Sequence, residues 1–336
     1  MKGVAYKNIL LFVTFYLICE FGVSQVNFHQ IIGPVSTNKT FQGGSVLYVD
    51  SIFGIEVIKD LTYCYTTGYY NSLASIQEAG NIFRKKKTVL DMTMDIYRPK
   101  EDSILYHPTI LFFHGGGFFF DNKESHSIVK WCKRFAARGY NAVSVNYRLS
   151  MRLGKEEMRE TEELAIYDAL SAVRFLVIHK DQYQIDVNNL YLAGTSAGAM
   201  ISLQLPLICQ QQDFTIRAVA EMWGAVPDTN LFTPDYPSLI SFHGGNDGIV
   251  SPYYDCSFYK WNYFGWLSKH FVDKKYGSIP IYHKLVNLGV DNRLYFFPLL
   301  KHKLHWDMKR KTENEYFYFI DERIADFFLE KMVRNQ

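Results

Sequence analysis

The sequence carries little net charge and contains no strongly basic or acidic domain. Its formal charge at pH 7 is +2, and its most basic run, Arg84 to Lys87, fits a solvated loop before a strand. Domains that bind nucleic acid usually carry a clear excess of positive charge, so the composition predicts no nucleic-acid partner.

Long hydrophobic runs are also absent at the N-terminus. The apolar run from Ile9 to Cys19 is shorter than the about 20 residues that a bilayer span requires. Lys2 and Lys7 precede it, and the small residues Gly22-Val23-Ser24 follow it. This pattern predicts a signal peptide over residues 1–24, and hence a secreted or periplasmic protein.

The remaining chain lacks internal repeats, low-complexity linkers and the cysteine–histidine spacings typical of zinc sites. We therefore expect residues 25–336 to form one domain, with neither a metal nor another cofactor. Four cysteines lie in this part: Cys64, Cys132, Cys209 and Cys256. Export would permit a disulfide among them, although Cys132 and Cys209 also fit as small core residues of helices.

Apolar segments of strand length alternate with segments of helical periodicity. Strands are predicted at 90–96, 109–113, 142–145, 190–193, 218–222, 238–242 and 294–297. In the first of these, apolar and polar residues alternate, which predicts one buried face. Helices are predicted at 128–135, at 160–179 and around 324–328. This alternation predicts an α/β fold with a doubly wound, mainly parallel sheet.

A serine lies in a glycine-framed turn between a strand and a helix. The strand at 190–193 runs into Gly194-Thr195-Ser196-Ala197-Gly198. A serine on such a sharp turn exposes its hydroxyl, and the following helix N-terminus favours developing negative charge. An ordinary Gly/Ser turn is the alternative interpretation.

A second glycine-rich loop, His114-Gly115-Gly116-Gly117, follows the strand at 109–113. Bare backbone amides can approach a substrate oxygen closely, and with the amide of Ala197 they would form an oxyanion hole. A flexible surface loop is the alternative, but phenylalanines flank this loop on both sides. Together the two motifs predict nucleophilic catalysis by Ser196.

A serine nucleophile needs a histidine base and a carboxylate that orients it. Asp247 follows the strand at 238–242 in a glycine-rich loop, where α/β sheets place their sites. Asp228 and Asp235 are weaker candidates because they precede that strand. His302 and His305 both follow the last strand, and either one could act as the base.

These residues resemble those of secreted carboxylesterases and esterase/lipase enzymes of the α/β-hydrolase superfamily with an HGGG loop, including hormone-sensitive-lipase-like enzymes. The resemblance begins near Thr93 and includes Asp95-Ile96-Tyr97-Arg98-Pro99, Val145-Asn146-Tyr147-Arg148-Leu149 and Tyr183-Gln184-Ile185-Asp186. It implies hydrolysis of carboxylic esters through an acyl-enzyme.

The resemblance also assigns roles to individual residues. It implies that Gly116 and Gly117 are oxyanion donors, that Asp247 is the acid and that His302 is the base. The small residues usual in the turn before the histidine are replaced here by Leu299-Leu300-Lys301.

The substrate and some alternatives stay open at this stage. An aromatic-rich segment from Tyr253 to Trp266 could line a substrate pocket or could pack as a helix on the sheet edge. The substrate is expected to be a small-molecule, carbohydrate or lipid ester. A peptidase of the same fold and a non-catalytic binding protein are the alternative functions.

Overall fold

In the computed structural model, the described residues are 47–48, 50–69, 87–100, 102–150, 154–209, 213–256 and 272–333. The predicted signal peptide, residues 1–24, lies outside them. So do residues 84–86 of the basic run and residues 257–266 of the aromatic segment.

A mainly parallel sheet of eight strands forms the centre of the molecule. The strands of the described chain are β1 (Gly54–Tyr69), β2 (Lys87–Lys100), β3 (His107–Phe113), β4 (Asn141–Val145), β5 (Ile185–Thr195), β6 (Ile216–Met222), β7 (Ala225–Val226), β8 (Ser238–Gly244), β9 (Tyr254–Cys256), β10 (Lys274–Gly277), β11 (Asn292–Phe297), β12 (Trp306–Asp307) and β13 (Thr312–Glu313). The order in the large sheet is β1-β2-β4-β3-β5-β6-β8-β11. Strand β2 pairs antiparallel with β1 and β4, and the other neighbours are parallel. The predicted doubly wound, mainly parallel sheet is confirmed.

Helices cover both faces of this sheet. They are α1 (His126–Ala137), α2 (Lys155–Ile178), α3 (Lys180–Tyr183), α4 (Ala197–Ile208), α5 (Ser278–Asn287) and α6 (Glu315–Lys331). One apolar core lies under α2, α4 and α5, and a second lies under α1 and α6. Because both faces are covered, central strands such as β3 are buried along their whole length. In the part of the chain that the structure describes, no helix is both long and apolar enough to cross a bilayer.

The prediction that β2 buries only one face is wrong in its second half. Asp95 and Tyr97 point away from Met94 and Ile96, and all four side chains are buried. Helix α1 packs over this part of β2, and Tyr97 joins the core that contains Trp131. The Asp95 carboxylate is neutralised by Lys123, whose Nζ lies 2.7 Å from Asp95 Oδ1. A polar residue in a strand therefore does not by itself indicate an exposed face.

The four cysteines after residue 24 are free thiols. Cys132 is buried in α1, as its helical position predicts, and Cys209 caps the end of α4. The disulfide that export would permit is not formed among them.

Candidate active site

Ser196 occupies a strained turn between the central strand β5 and helix α4. Strand β5 ends at Thr195 and the helix begins at Ala197. Between them Ser196 has φ 54° and ψ −116°, a conformation that residues with a side chain rarely adopt. Such strain persists only where the surrounding structure enforces it, and it is typical of functional sites.

The two framing glycines make this turn sterically feasible. A Cβ atom on Gly194 would lie 2.2 Å from the carbonyl oxygen of Gly198. A Cβ atom on Gly198 would lie 2.1 Å from the carbonyl oxygen of Phe113, at the end of β3. Both distances are far below van der Waals contact, so only glycine fits at either position.

The structure brings Ser196, Asp247 and His302 together in one hydrogen-bonded line. His302 Nε2 lies 3.1 Å from Ser196 Oγ, and His302 Nδ1 lies 2.7 Å from Asp247 Oδ2. The other carboxylate oxygen, Asp247 Oδ1, accepts hydrogen bonds from the amides of Ile249 and Val250. This geometry allows His302 to take a proton from Ser196 while Asp247 orients the imidazole ring.

The surroundings of Asp247 favour its charged form. Burial alone raises the pKa of this carboxyl group. The hydrogen bonds and positive charge of His243 and His302 outweigh burial, so the pKa lies well below the usual range. Asp247 is therefore ionised wherever a histidine base would be active.

His305 points to a different set of partners. Its Nε2 atom lies 3.0 Å from Ser127 Oγ on α1, and its ring stacks on Trp223 at a centroid distance of 4.9 Å. Burial and, secondarily, the charge of Lys303 lower the pKa of His305 to about 3. Of the two candidate histidines, only His302 is hydrogen-bonded to Ser196.

The glycine-rich loop lies directly against this turn. A Cβ atom on Gly115 would lie 3.2 Å from the carbonyl oxygen of Thr195. Gly117 and Ala197 line a cavity together with Ser196, so their backbones are near any ester carbonyl that the serine attacks. Gly116 forms the tight turn behind Gly117, with φ 107°. In the described chain, the amides of Gly116 and Gly117 donate to no backbone carbonyl group.

Tyr147 holds the glycine-rich loop in position. The Tyr147 hydroxyl donates to the carbonyl oxygen of His114 at 2.6 Å, and the two rings stack with centroids 4.3 Å apart. The His114 ring in turn bonds the carbonyl oxygen of Gly115 at 2.7 Å. A loop of consecutive glycines is thereby held rigid, as a preorganised oxyanion site requires.

A cavity of about 170 Å³ opens beside Ser196. Its apolar wall is formed by Phe118, Phe119, Met158, Met200, Pro227, Ile249, Val250 and Val272, and its polar wall by Lys155, Arg159, Glu162, Glu163, Gln204, Asp273 and Lys275. Glu162 is almost fully buried, accepts a hydrogen bond from Gln204 at 2.6 Å and pairs with Lys275. The cavity is thus bounded by fixed charges as well as by apolar side chains.

The remaining candidates have other partners or are exposed. Asp228 caps a short 3₁₀ turn by accepting from the amide of Asn230, and Asp235 is exposed. The described start of the aromatic segment includes Tyr254, which stacks on Tyr276 rather than lining the cavity. Within the described ranges, no group of three or more His, Cys, Asp or Glu side chains is arranged to hold a metal ion.

Sequence reasoning missed His243, the last but one residue of β8. It is fully buried, and its Nε2 lies 3.3 Å from Asp247 Oδ2. Its position four residues before Asp247, in a strand that is buried along most of its length, was the available signal.

Comparisons with known proteins identify esterases among the similar proteins. A family model described as BD-FAE matches residues 94–221, which contain the glycine loop and Ser196. The acetyl esterase of Salmonella typhi is 29% identical over 114 residues, which are 34% of this chain and 32% of that protein. The chain therefore matches about a third of the length of its curated relatives.

Solved structures are similar over most of the chain. A thermophilic esterase from Thermogutta terrifontis, bound to propionate, has a TM-score of 0.56 at 17% identity, covering 74% of this chain and 93% of that one. Phosphonate-inhibited esterase B from Lactobacillus rhamnosis has a TM-score of 0.54 at 17% identity, with coverages of 82% and 85%. A truncated carbohydrate esterase from gut microbiota has a TM-score of 0.52 at 17% identity, with coverages of 84% and 98%. The predicted α/β-hydrolase fold and the resemblance to esterases are confirmed.

Proposed function

We propose that this protein is a serine hydrolase that cleaves carboxylic esters through an acyl-enzyme. The observation that carries the proposal is the unbroken line from Ser196 Oγ through His302 to Asp247, with the glycine loop beside it. The acetyl and other esterases among the similar proteins support the same reaction.

Each residue has a defined part in the proposed reaction. Ser196 Oγ attacks the ester carbonyl carbon while His302 Nε2 takes the hydroxyl proton. The amides of Gly116, Gly117 and Ala197 stabilise the resulting oxyanion. His302 then returns the proton to the leaving alcohol, and a water molecule, activated by the same histidine, releases the acid from the acyl-enzyme.

The walls of the cavity favour a small acyl group. The space beside Ser196 is about 170 Å³, and Glu162 and Lys275 form part of its boundary. A long alkyl chain would have to displace or desolvate these charges, which is unfavourable. We therefore expect kcat/KM to fall as the acyl chain is lengthened from acetyl.

The test is activity on aryl esters of increasing acyl length, beside acetylated and feruloylated sugars and an aryl amide. Ser196→Ala should lower ester turnover by about 10⁴-fold or more without unfolding the protein. A serine-directed phosphonate should label Ser196 alone. The matched control is Ser202→Ala, a buried serine on the helix that follows Ser196, whose hydroxyl donates to the carbonyl oxygen of Gly198.

The outcomes separate the alternatives. Full turnover in Ser196→Ala would contradict the proposal. Faster cleavage of the amide than of the ester would favour a peptidase, and binding of an ester without turnover would favour a non-catalytic protein of this fold.

We further propose that the protein is exported. The support is the charged, apolar and small-residue pattern over residues 1–24. N-terminal sequencing of secreted or periplasmic protein should give a mature chain that begins near Gln25. Secreted material that still begins at Met1 would show that no signal peptide is removed.

A further inference from the structure

A buried polar chain continues from the catalytic acid into the core, on the side away from Ser196. His243 Nε2 lies 3.3 Å from Asp247 Oδ2 and 3.1 Å from the carbonyl oxygen of Val250. On the other side of the ring, His243 Nδ1 lies 2.5 Å from Ser278 Oγ. Ser278 Oγ donates to Glu221 Oε2 at 3.0 Å. The proposed ester hydrolysis uses neither the imidazole of His243 nor the carboxylate of Glu221.

Counting donors and acceptors determines the protons of His243. Its Nε2 faces Val250 and Asp247, whose oxygens are acceptors, so Nε2 must carry a hydrogen. With Glu221 ionised, the single hydrogen of the Ser278 hydroxyl goes to Glu221 Oε2, so the lone pairs of the hydroxyl face His243 Nδ1. Nδ1 therefore also carries a hydrogen, and a histidine with two N–H groups is a cation.

The far end of the chain supplies the balancing negative charge. Glu221 on β6 is fully buried, and its Oε1 accepts the amide hydrogen of Gly224. The hydroxyls of Ser278 and Ser241 are further donors to this carboxyl group. On balance the pKa of Glu221 is raised by burial, and the charge of His243 and these hydrogen bonds limit that rise. Donors on both oxygens suit the ionised form.

We propose that His243 is a positioning residue: as an imidazolium between Glu221 and Asp247, it fixes the catalytic carboxylate and extends activity of the Ser196–His302 pair to lower pH. This inference rests on the proposed esterase function. Asp247 Oδ2 accepts a hydrogen bond from His302 and also faces His243. The negative charge of Asp247 favours protonation of His302, and the positive charge of the His243 imidazolium offsets part of that effect.

The groups around His243 are consistent with a charged ring. Burial alone lowers the pKa of His243, but its hydrogen bond to Asp247 and the charges of Asp247 and Glu221 outweigh burial, so the pKa is raised. Helix α5 faces the ring with the Ser278 hydroxyl, and β11 pairs with His243 at the apolar Phe296. The acidic groups with the largest effect on its pKa are Asp247 and Glu221.

Two more titratable groups belong to this neighbourhood. Tyr236 lies near Glu221, and burial, with the charge of Glu221, raises the pKa of Tyr236 well above its ordinary value, which keeps the phenol neutral. His302 and His243 share Asp247 Oδ2 as a partner.

The first experiment is the pH profile of kcat/KM for an aryl acetate. In His243→Gln the acidic limb should move to higher pH by about half a unit or more, because the offsetting cation is gone. Ser278→Ala and Glu221→Gln each remove a group that stabilises the charged form of His243. They should move the acidic limb to higher pH as well, by a smaller amount than His243→Gln. Ser278→Ala deletes one oxygen atom and keeps the inference testable if the histidine variant does not fold.

The matched control is His107→Gln. His107 is also a buried histidine next to a carboxylate, since its Nε2 lies 3.4 Å from Asp102 Oδ1, but it lies at the opposite end of β3 from the glycine loop. This variant should lose stability and leave the acidic limb unmoved. A limb that moves equally in His107→Gln, or stays in place in both His243→Gln and Ser278→Ala, overturns the inference.

The second experiment needs no substrate. In protein labelled with ¹⁵N-histidine, the signal missing from His243→Gln identifies His243. Both of its ring nitrogens should give the protonated chemical shift at neutral pH, where an ordinary histidine has largely lost its second proton. An unprotonated Nδ1 at neutral pH, with a neutral Glu221 carboxyl group, would overturn the inference even in an active esterase. If both ring nitrogens of His243 are protonated but the protein has no esterase activity, the result would instead contradict the proposed function alone.

Discussion

His302 and His305 are three residues apart, but their rings have different partners. His302 Nε2 lies 3.1 Å from Ser196 Oγ, whereas His305 Nε2 lies 3.0 Å from Ser127 Oγ on α1. Both lie in the segment between β11 and β12. Between them the backbone turns at Lys303, which is in the left-handed region at φ 54°. One histidine is therefore placed for catalysis and the other for packing.

His302→Ala should lower ester turnover about as much as Ser196→Ala, by about 10⁴-fold, because the serine loses its base. Combining the two substitutions should cost little more, since the residues act as one unit. Steady-state kinetics of the two single variants and the double variant measure this. Fully additive losses would show that the two residues act independently.

His305→Phe should keep most of the activity and make the protein less sensitive to acid. The folded-state pKa of His305 is about 3, against an ordinary value of 6.5. Below pH 6.5 the unfolded chain therefore binds a proton that the folded protein does not. As the pH is lowered from 6.5 towards 3, the free energy of unfolding therefore decreases, by up to about 1.4 kcal/mol for each pH unit.

Phenylalanine preserves the stacking on Trp223 and removes the titration. Urea unfolding at a series of pH values below 6.5 should show a shallower loss of stability in His305→Phe than in the wild type. Parallel curves would mean that His305 is charged in the folded protein.

Gly198→Ala should disrupt the nucleophile turn. The new methyl group would lie 2.1 Å from the carbonyl oxygen of Phe113, so strand and helix must separate, at a cost of about 3 kcal/mol or more. Activity should fall with stability, as measured by urea unfolding and ester turnover. Gly54→Ala is the control, because there a Cβ meets only Lys100 Cβ at 3.7 Å, an ordinary contact. Equal effects of the two substitutions would contradict the packing argument.

Asp247→Asn should lower kcat by about 10³- to 10⁴-fold, since an amide does not hold His302 in the tautomer that accepts the serine proton. The control is Asp228→Asn, because asparagine caps a helical turn as well as aspartate does. Kinetics at neutral pH compare the two variants. A modest loss in Asp247→Asn would indicate that another carboxylate orients His302.

The same substitution should change how stability depends on pH. The folded-state pKa of Asp247 lies below the ordinary carboxyl value, so its ionised form stabilises the protein above that value. This contribution is lost as the pH falls and the folded carboxylate is protonated. Asp247→Asn should therefore show a smaller loss of unfolding free energy between neutral and acidic pH, and an unchanged slope would contradict the assigned pKa direction.

The features of this protein that can be inferred from the sequence are those that depend on neighbouring residues in the chain. Apolar runs such as 109–113 predict covered strands because a buried strand has no polar face. Gly194 and Gly198 predict the nucleophile turn because no other residue tolerates the close approach of the backbone there. For the same reason, the fold, the serine and its glycine loop could be inferred without coordinates.

Only the tertiary structure decided which partners each side chain has. Position after the last strand left both His302 and His305 as candidates, and the resemblance alone favoured His302. In the structure His302 contacts Ser196, 106 residues away in sequence, and His305 contacts Ser127, 178 residues away. The second buried face of β2 depends on α1, and the imidazole of His243 depends on groups from β6 and α5. Contacts of this kind have no local pattern, because the energy that selects them comes from elements that meet only when the chain has folded.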